Sequence, residues 1–291
     1  MLHTDLTKRH YSYTALSNWL LCQRRFYWAY RRNLVLDVPA AAPHFGQAIH
    51  AGLHRWYETG RLVDTLEAFR VALRGAPADV LRTPEKGELI LTGYTKHYPQ
   101  EPFTLLANEV EFAVPMPNGS TIIGRIDRVI QWGERILVKE TKTTSGGIGA
   151  AYFKGFSPNL QIDMECYAVA QHPRWGHCDG ALIDAIQVCK TKEGYARDLQ
   201  DRTPHDLAAF ERRYARIVHD LEVAATAYET DLTGELVTEQ DARNEYLQNQ
   251  MMCTYFGECP YRRLCLYNDD GLIEGHYKLR EVEPQPTPEA G

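Results

Sequence analysis

Thr121-Ile122-Ile123-Gly124-Arg125-Ile126-Asp127-Arg128-Val129-Ile130-Gln131-Trp132-Gly133-Glu134-Arg135-Ile136-Leu137-Val138-Lys139-Glu140-Thr141-Lys142 is the stretch that decides the fold. Ile122, Ile123, Ile126, Val129 and Ile130 make its first arm β-branched and apolar, and Ile136-Leu137-Val138 do the same for the second. Gln131-Trp132-Gly133-Glu134 supplies the turn, so the pattern predicts a hairpin buried enough to hold polar side chains rigidly. Side chains alternate along a strand, which sends Glu140 and Lys142 to one side. A turn centred near Trp132-Gly133 brings Asp127 beside Glu140. Two hard oxygen ligands and one ammonium suit Mg²⁺ or Mn²⁺, a polarised water and charge developing on an anionic centre. The same residues also permit a plainer reading, in which Asp127 pairs with Arg125 or Arg128, and Glu140 with Lys139 or Lys142, on a solvated face.

Upstream, Glu109 to Val114 reads as a strand ending in a Pro- and Gly-rich turn (Pro115, Pro117, Asn118, Gly119), which makes a three-stranded antiparallel meander. Downstream, a loop containing Ser145, Gly146, Gly147 and Gly149 leads to a helix over about residues 160–170. A strand from Ala181 to Lys190 and a long helix over about residues 203–230 follow. The N-terminal section, about residues 12–100, is helical. Ser12 or Thr14 caps a first helix carrying Leu16, Leu20, Cys22 and Tyr30, and Phe45-Gly46-Gln47-Ala48-Ile49-His50 opens a second. The expectation is an α/β fold with a central mixed β-sheet flanked by helices. It forms a single domain over residues 1–280, with a core over about 101–230, a cysteine segment over about 250–267 and a disordered tail over 281–291.

The formal net charge of −6 over 291 residues and a pI near 6.0 exclude a generally basic nucleic-acid coat, so any such contact is local. Arg24, Arg25, Arg31 and Arg32, interleaved with Phe26, Tyr27, Trp28 and Tyr30, can hold phosphates and stack bases. They can equally form a surface helix with inward aromatics and solvated arginines. No stretch approaches the roughly 20 apolar residues of a membrane span, and the N-terminus lacks the pattern of a secretory signal, so a cytosolic protein is expected. Seven cysteines, an odd number, fit a reducing compartment, where clustered thiols point to metal. Cys22 together with Cys253, Cys259 and Cys265 suits zinc or an iron–sulfur centre, although zinc sites favour pairs only two to four residues apart. Cys166, Cys178 and Cys189 read as small core residues. His50, with His54 one turn later, belongs to an ordinary helix face or to a His-x-x-x-His metal pair.

These motifs resemble the PD-(D/E)xK nuclease superfamily, in particular its RecB-like branch of CRISPR-associated and phage-borne exonucleases. Gly46 to His50 is similar to the N-terminal histidine motif of that branch, Gly124-Arg125-Ile126-Asp127 to the first acidic motif, and Glu140-Thr141-Lys142 to the second. The resemblance implies a restriction-endonuclease-like core. In it His50, Asp127, Glu140 and the Thr141 backbone carbonyl hold Mg²⁺ or Mn²⁺, and Lys142 positions the attacking water. It also implies a 4Fe-4S cluster on Cys22, Cys253, Cys259 and Cys265. The two five-residue gaps of the C-terminal trio look more like those of phage or prophage members than of CRISPR-associated ones. The branch also carries a Gln followed four residues on by Tyr. Here Gln161 and Tyr167 are six apart, with Asp163 in the register of the Gln, and both are carried over as substrate contacts alongside Arg24 and Arg25. Glu109 and Glu111 are weaker candidates for a second metal site or for plain charge pairing. The implied activity is metal-dependent hydrolysis of single-stranded DNA or DNA ends in a bacterial or phage-encoded protein, with recombination, repair, phage or CRISPR proteins as partners and no membrane. The alternative is a non-catalytic DNA-binding or assembly subunit that keeps the fold and the cluster.

Overall fold

A computed structural model describes residues 4–280 apart from residues 39, 78, 191–192, 231–235, 256 and 268–269. The tail expected over 281–291 lies outside the described residues. In chain order, β1 (His10–Ser12), α1 (Tyr13–Leu21), α2 (Gln23–Phe26) and β2 (Leu34–Leu36) precede three helices, α3 (Ala41–Thr59), α4 (Leu62–Leu73) and α5 (Pro84–His97). Next come β3 (Thr104–Pro115), β4 (Thr121–Trp132), β5 (Arg135–Thr144), α6 (Ala150–Phe153), α7 (Leu160–Gln171), β6 (Gly180–Val188) and β7 (Glu193–Asp201). The order closes with α8 (Pro204–Glu229), α9 (Glu239–Glu245), α10 (Arg262–Tyr267) and β8 (Tyr277–Leu279). The class is α/β, with a central mixed sheet flanked by helices. Among the described residues, no helix is long and apolar enough to cross a membrane.

The chain divides into two compact units. One comprises Pro39–Phe112 and Gly124–Ala208. Its β4 and β5 pair antiparallel from Arg128↔Lys139 to Trp132↔Arg135, β5 and β6 pair parallel, β6 and β7 pair antiparallel, and β3 lies on β4. The hairpin closes at Trp132↔Arg135, one residue later than a turn centred on Trp132-Gly133, because Gly133 takes the left-handed conformation (φ 64°) that suits glycine. From the helices, Phe45, Ile49, Leu53, Phe69, Ile90 and Leu91 pack against Ile186 and Val188 of β6. Ile162, Met164 and Val169 of α7 are also buried, and that helix packs on β5 and β6.

Strand alternation puts Lys139 on the side of β5 opposite Glu140. Lys139 is fully buried, pairs with Asp184 of β6, and lies over the rings of Tyr57 and Tyr94. Arg197 completes the cluster, donating from Nε to Asp184 at 3.1 Å and from Nη1 to Glu101 at 2.6 Å. Burial pushes the Lys139 ammonium down to about 8 against the pull of Asp184. Asp184 also suffers burial, yet Lys139 and Arg197 hold it below the ordinary carboxylate value. Lys139 is therefore committed to Asp184 and is not the partner of Glu140.

The other unit comprises the described residues of Met1–Val38, Ala113–Ile123 and Ala209–Gly291. Within it β1 runs parallel to Thr121–Ile123, β2 pairs antiparallel with β8, and Trp19, Phe26, Tyr27, Tyr228 and Tyr246 form an aromatic cluster. Two expectations change here. Cys22 does not lie within a helix: it is the extended residue (φ −166°, ψ 111°) that separates α1 from α2. Arg24 is not a solvated surface cation either. It is 6% exposed and donates from Nε to the Tyr246 carbonyl at 3.1 Å, because the turn that brings Phe26 and Trp28 inward brings Arg24 with them. Arg31 pairs with Glu229, and Arg25 is half-buried.

Asp184→Ala strands an unpaired ammonium in the interior, so it lowers stability by about 3–5 kcal/mol. The measurement is the urea midpoint followed by circular dichroism.

Candidate active site

Backbone pairing of β4 with β5 runs up to Arg128↔Lys139, and one residue further on the Asp127 carboxylate takes over. The Thr141 amide donates to Asp127 Oδ2 at 2.9 Å, so a side chain on β4 accepts from the backbone of β5. This bond holds Asp127 on the side where Glu140 emerges. Asp127 and Glu140 are 8% and 4% exposed, two carboxylates in one interior corner. His50 reaches the same corner from α3, with Nδ1 3.1 Å from Asp127 Oδ1. One turn earlier, a Cβ on Gly46 would stand 3.2 Å from Thr143 Oγ1, so the absence of a side chain lets α3 close on β5. His54 instead faces Glu58 at 3.2 Å, which removes it from any His-x-x-x-His pair.

The third side of the site comes from α7. Asn159 caps that helix by accepting from the Gln161 and Ile162 amides at 3.0 and 3.2 Å, which fixes Gln161 in its first turn. Lys142 Nζ donates to Glu140 Oε1 and to Gln161 Oε1, each at 2.7 Å, and Gln161 Nε2 donates back to Glu140 Oε1 at 2.7 Å. The three side chains close a triangle. Gln161 Nε2 gives its other hydrogen to Glu165 Oε1 at 2.8 Å. Glu165, 3% exposed, was missed in the sequence. Its signal is the i, i+4 spacing from Gln161, which puts both on one helix face.

The position four residues after Gln161 is thus an acid. Tyr167 is buried on the same helix, and Asp163 pairs with Arg202 at 2.6 Å. Glu109 pairs with Arg125 at 2.8 Å, Glu111 is exposed, and Arg128 donates to Thr141 Oγ1 while lying over the Tyr57 ring.

Electrostatics separate the acids. Burial works against the Asp127 charge, but His50, Arg128 and the Thr141 amide hold that carboxyl well below its ordinary value. Burial and then the Asp127 charge push Glu140 up, against the pull of Lys142 and His50. Burial and Glu140 push Glu165 up further. Burial opposes the Lys142 charge, yet Glu140 and Glu165 raise Lys142 above the ordinary lysine value. His50 is likewise raised, with Asp127 overcoming burial. The acids around Lys142 thus favour its charged form.

Among the described residues, no three His, Cys, Asp or Glu side chains lie close enough together to hold a metal ion. The donor chemistry nevertheless fits a hard divalent cation: two buried carboxylate oxygens whose mutual repulsion a dication relieves, with an imidazole beside them.

The cysteine set lies in the other unit. The Asn249 amide donates to Cys22 Sγ at 3.5 Å, and Cys253 Sγ contacts the Asn249 carbonyl at 3.9 Å. The Cys259 amide donates to the Cys253 carbonyl at 2.9 Å. Burial raises the Cys259 thiol, and Cys22 and Cys253 raise it further; burial takes Cys265 up to about 11, with Cys259 and Cys22 adding to it. The four sulfurs are electrostatic neighbours without being gathered into a cage.

The fold and this corner define a class, and residues 10–266 match the profile of the PD-(D/E)XK nuclease superfamily. The chain belongs to that superfamily, which supports a nuclease, a hydrolase of nucleic-acid phosphodiesters, of a kind that usually uses divalent metal ions. Among solved structures it is similar to SSO0001, with 13% identity over 76% of this chain and 78% of that chain at a TM-score of 0.34. It is also similar to a protein of Eubacterium rectale named as a candidate exonuclease, with 12% identity over 76% and 88% at a TM-score of 0.42. No curated protein matches the chain.

A carboxyl whose folded pKa is raised favours the fold at low pH and loses that contribution as the pH rises. Metal-free Glu140→Gln therefore melts above wild type at neutral pH. Mn²⁺ at 100 times its Kd stabilises wild type by about 2.7 kcal/mol and leaves the variant unmoved, as scanning calorimetry with and without Mn²⁺ reads. Mn²⁺ affinity in wild type falls as the pH drops below neutral, because the proton competes for Glu140, whose carboxyl pKa is raised.

Proposed function

We propose that the chain is a Mg²⁺- or Mn²⁺-dependent deoxyribonuclease, an exonuclease acting on single-stranded DNA or DNA ends. The observation that supports this most is the buried Asp127–Glu140 pair with Lys142 pinned beside it. When bound, the cation supplies a polarised water and offsets charge on the phosphoryl oxygens. Asp127 and Glu140 would hold it with the Thr141 carbonyl and His50, and the family resemblance carries those last two. The Thr141 amide and His50 Nδ1 fix the orientation of Asp127, which limits the reorganisation needed as charge develops. Lys142, charged and held by two acceptors, orients the attacking water and faces the anionic phosphoryl group. Arg25, half-buried in its own unit, is a cation that can hold the DNA backbone there, whereas Arg24 is committed to the interior.

Cys22, Cys253, Cys259 and Cys265 would hold a structural 4Fe-4S cluster. Four soft thiolates without a close pair suit iron–sulfur chemistry better than zinc. The break at Cys22 supports the assignment, since it lays the sulfur beside the backbone at Asn249, four residues before Cys253. Tying Cys22 to Cys253 removes loop entropy on the order of 5 kcal/mol from the unfolded chain.

Anaerobically purified protein is expected to contain iron and acid-labile sulfide, and to degrade end-labelled single-stranded DNA with Mn²⁺. Glu140→Ala is expected to lose about 100-fold or more of that rate. Undiminished cutting by the variant rejects the catalytic assignment, and zinc without sulfide rejects the cluster. Substrates blocked at one end or the other decide between exonuclease and endonuclease action.

A further inference from the structure

Gln161 is a neutral member of a charged site, and its two ends are chemically distinct. The oxygen can only accept and the nitrogen can only donate. Lys142 occupies the oxygen, and Glu140 and Glu165 occupy the two hydrogens of the nitrogen, so every polar group of the amide is used. Turning the amide over would set its oxygen against two carboxylates and its nitrogen against an ammonium. Glu140 and Lys142 lie on β5, and Glu165 supplies the anchor from Gln161's own helix, one turn along. Among the described residues, Glu165 Oε2 is buried without a hydrogen-bond partner, and Oε1 accepts from Gln161. The arrangement runs from Glu165 through Gln161 to the Lys142 ammonium.

The geometry assigns Glu165 as a positioning residue that pins the Gln161 amide and, through it, holds Lys142 beside Glu140. The assignment rests on the nuclease reading of this corner, but the hydrogen-bond relay can be tested without turnover. Glu165→Leu frees the Gln161 amide. The lysine then loses a fixed acceptor, so kcat falls tenfold or more while KM for single-stranded DNA stays within twofold. Glu165→Gln keeps a carbonyl oxygen for Gln161 Nε2 and drops the charge, so it restores kcat to within about threefold of wild type and leaves Mn²⁺ affinity within twofold. In a Gln161→Leu background the further change Glu165→Leu alters kcat by less than twofold, since the two side chains act as one unit.

A second readout follows the Gln161 side-chain amide by ¹⁵N-correlated NMR of metal-free protein. Both of its protons are protected from solvent exchange in wild type and Glu165→Gln, and the one that faces position 165 loses that protection in Glu165→Leu. Multiplicative losses in the double variant overturn the assignment, as does failure of Glu165→Gln to restore kcat. Loss of Mn²⁺ affinity in Glu165→Gln makes Glu165 a metal ligand instead. If metal-loaded wild type cuts no DNA, the nuclease reading fails and the NMR arm alone decides the relay: wild-type amide protons that exchange as fast as those of a free glutamine reject it. If Glu165→Leu does not fold, the Glu165→Gln comparisons still decide.

Discussion

Asp127 and Glu140 occupy one poorly hydrated corner, and the repulsion between them is the constraint around which the site is arranged. A carboxylate pair removed from water is unfavourable unless each member is compensated separately. Asp127 is compensated by a backbone amide, an imidazole and a nearby guanidinium, and so stays ionised. Glu140 leans on Lys142 and Gln161, and remains the member that a proton or a cation can most easily relieve. A dication placed between two such carboxylates would relieve that repulsion.

Much of this corner could be read from short-range pattern. β-branched arms, a Gly turn and a two-residue separation specify a hairpin, its buried faces and the shared side of Glu140 and Lys142, because strand periodicity is local. The interruption of the ladder at Asp127 could not be read, since it depends on a side chain accepting a backbone hydrogen from the neighbouring strand. Glu165 also escaped: the family comparison directed attention to a Tyr, and only the cap at Asn159 fixes which residues of α7 face the lysine. The pairing of Lys139 with Asp184 joins residues 45 positions apart, beyond any local pattern.

The N-terminal arginines show the same limit from the other side. Composition gave a patch fit for phosphates, but burial is decided by what the rest of the chain brings. Tyr246 turns its carbonyl to Arg24 and Glu229 turns its carboxylate to Arg31. A cation's chemistry is visible in a sequence, whereas its availability is a tertiary property. The cysteines obey the same rule: their spacing is legible, while the extended backbone that presents Cys22 is not.

β5 carries opposite charges on adjacent residues, each with its own counterpart: Lys139 meets an acid on one face, and Glu140 meets a lysine and an amide on the other. Sliding this strand by a single residue would take Lys139 away from Asp184 and set Glu140 against that buried acid, replacing an ion pair with a repulsion. Hydrophobic alternation already opposes a one-residue slip, and here the buried charges add to that penalty. The charges that shape this corner therefore also help to fix the register of the strand that carries them.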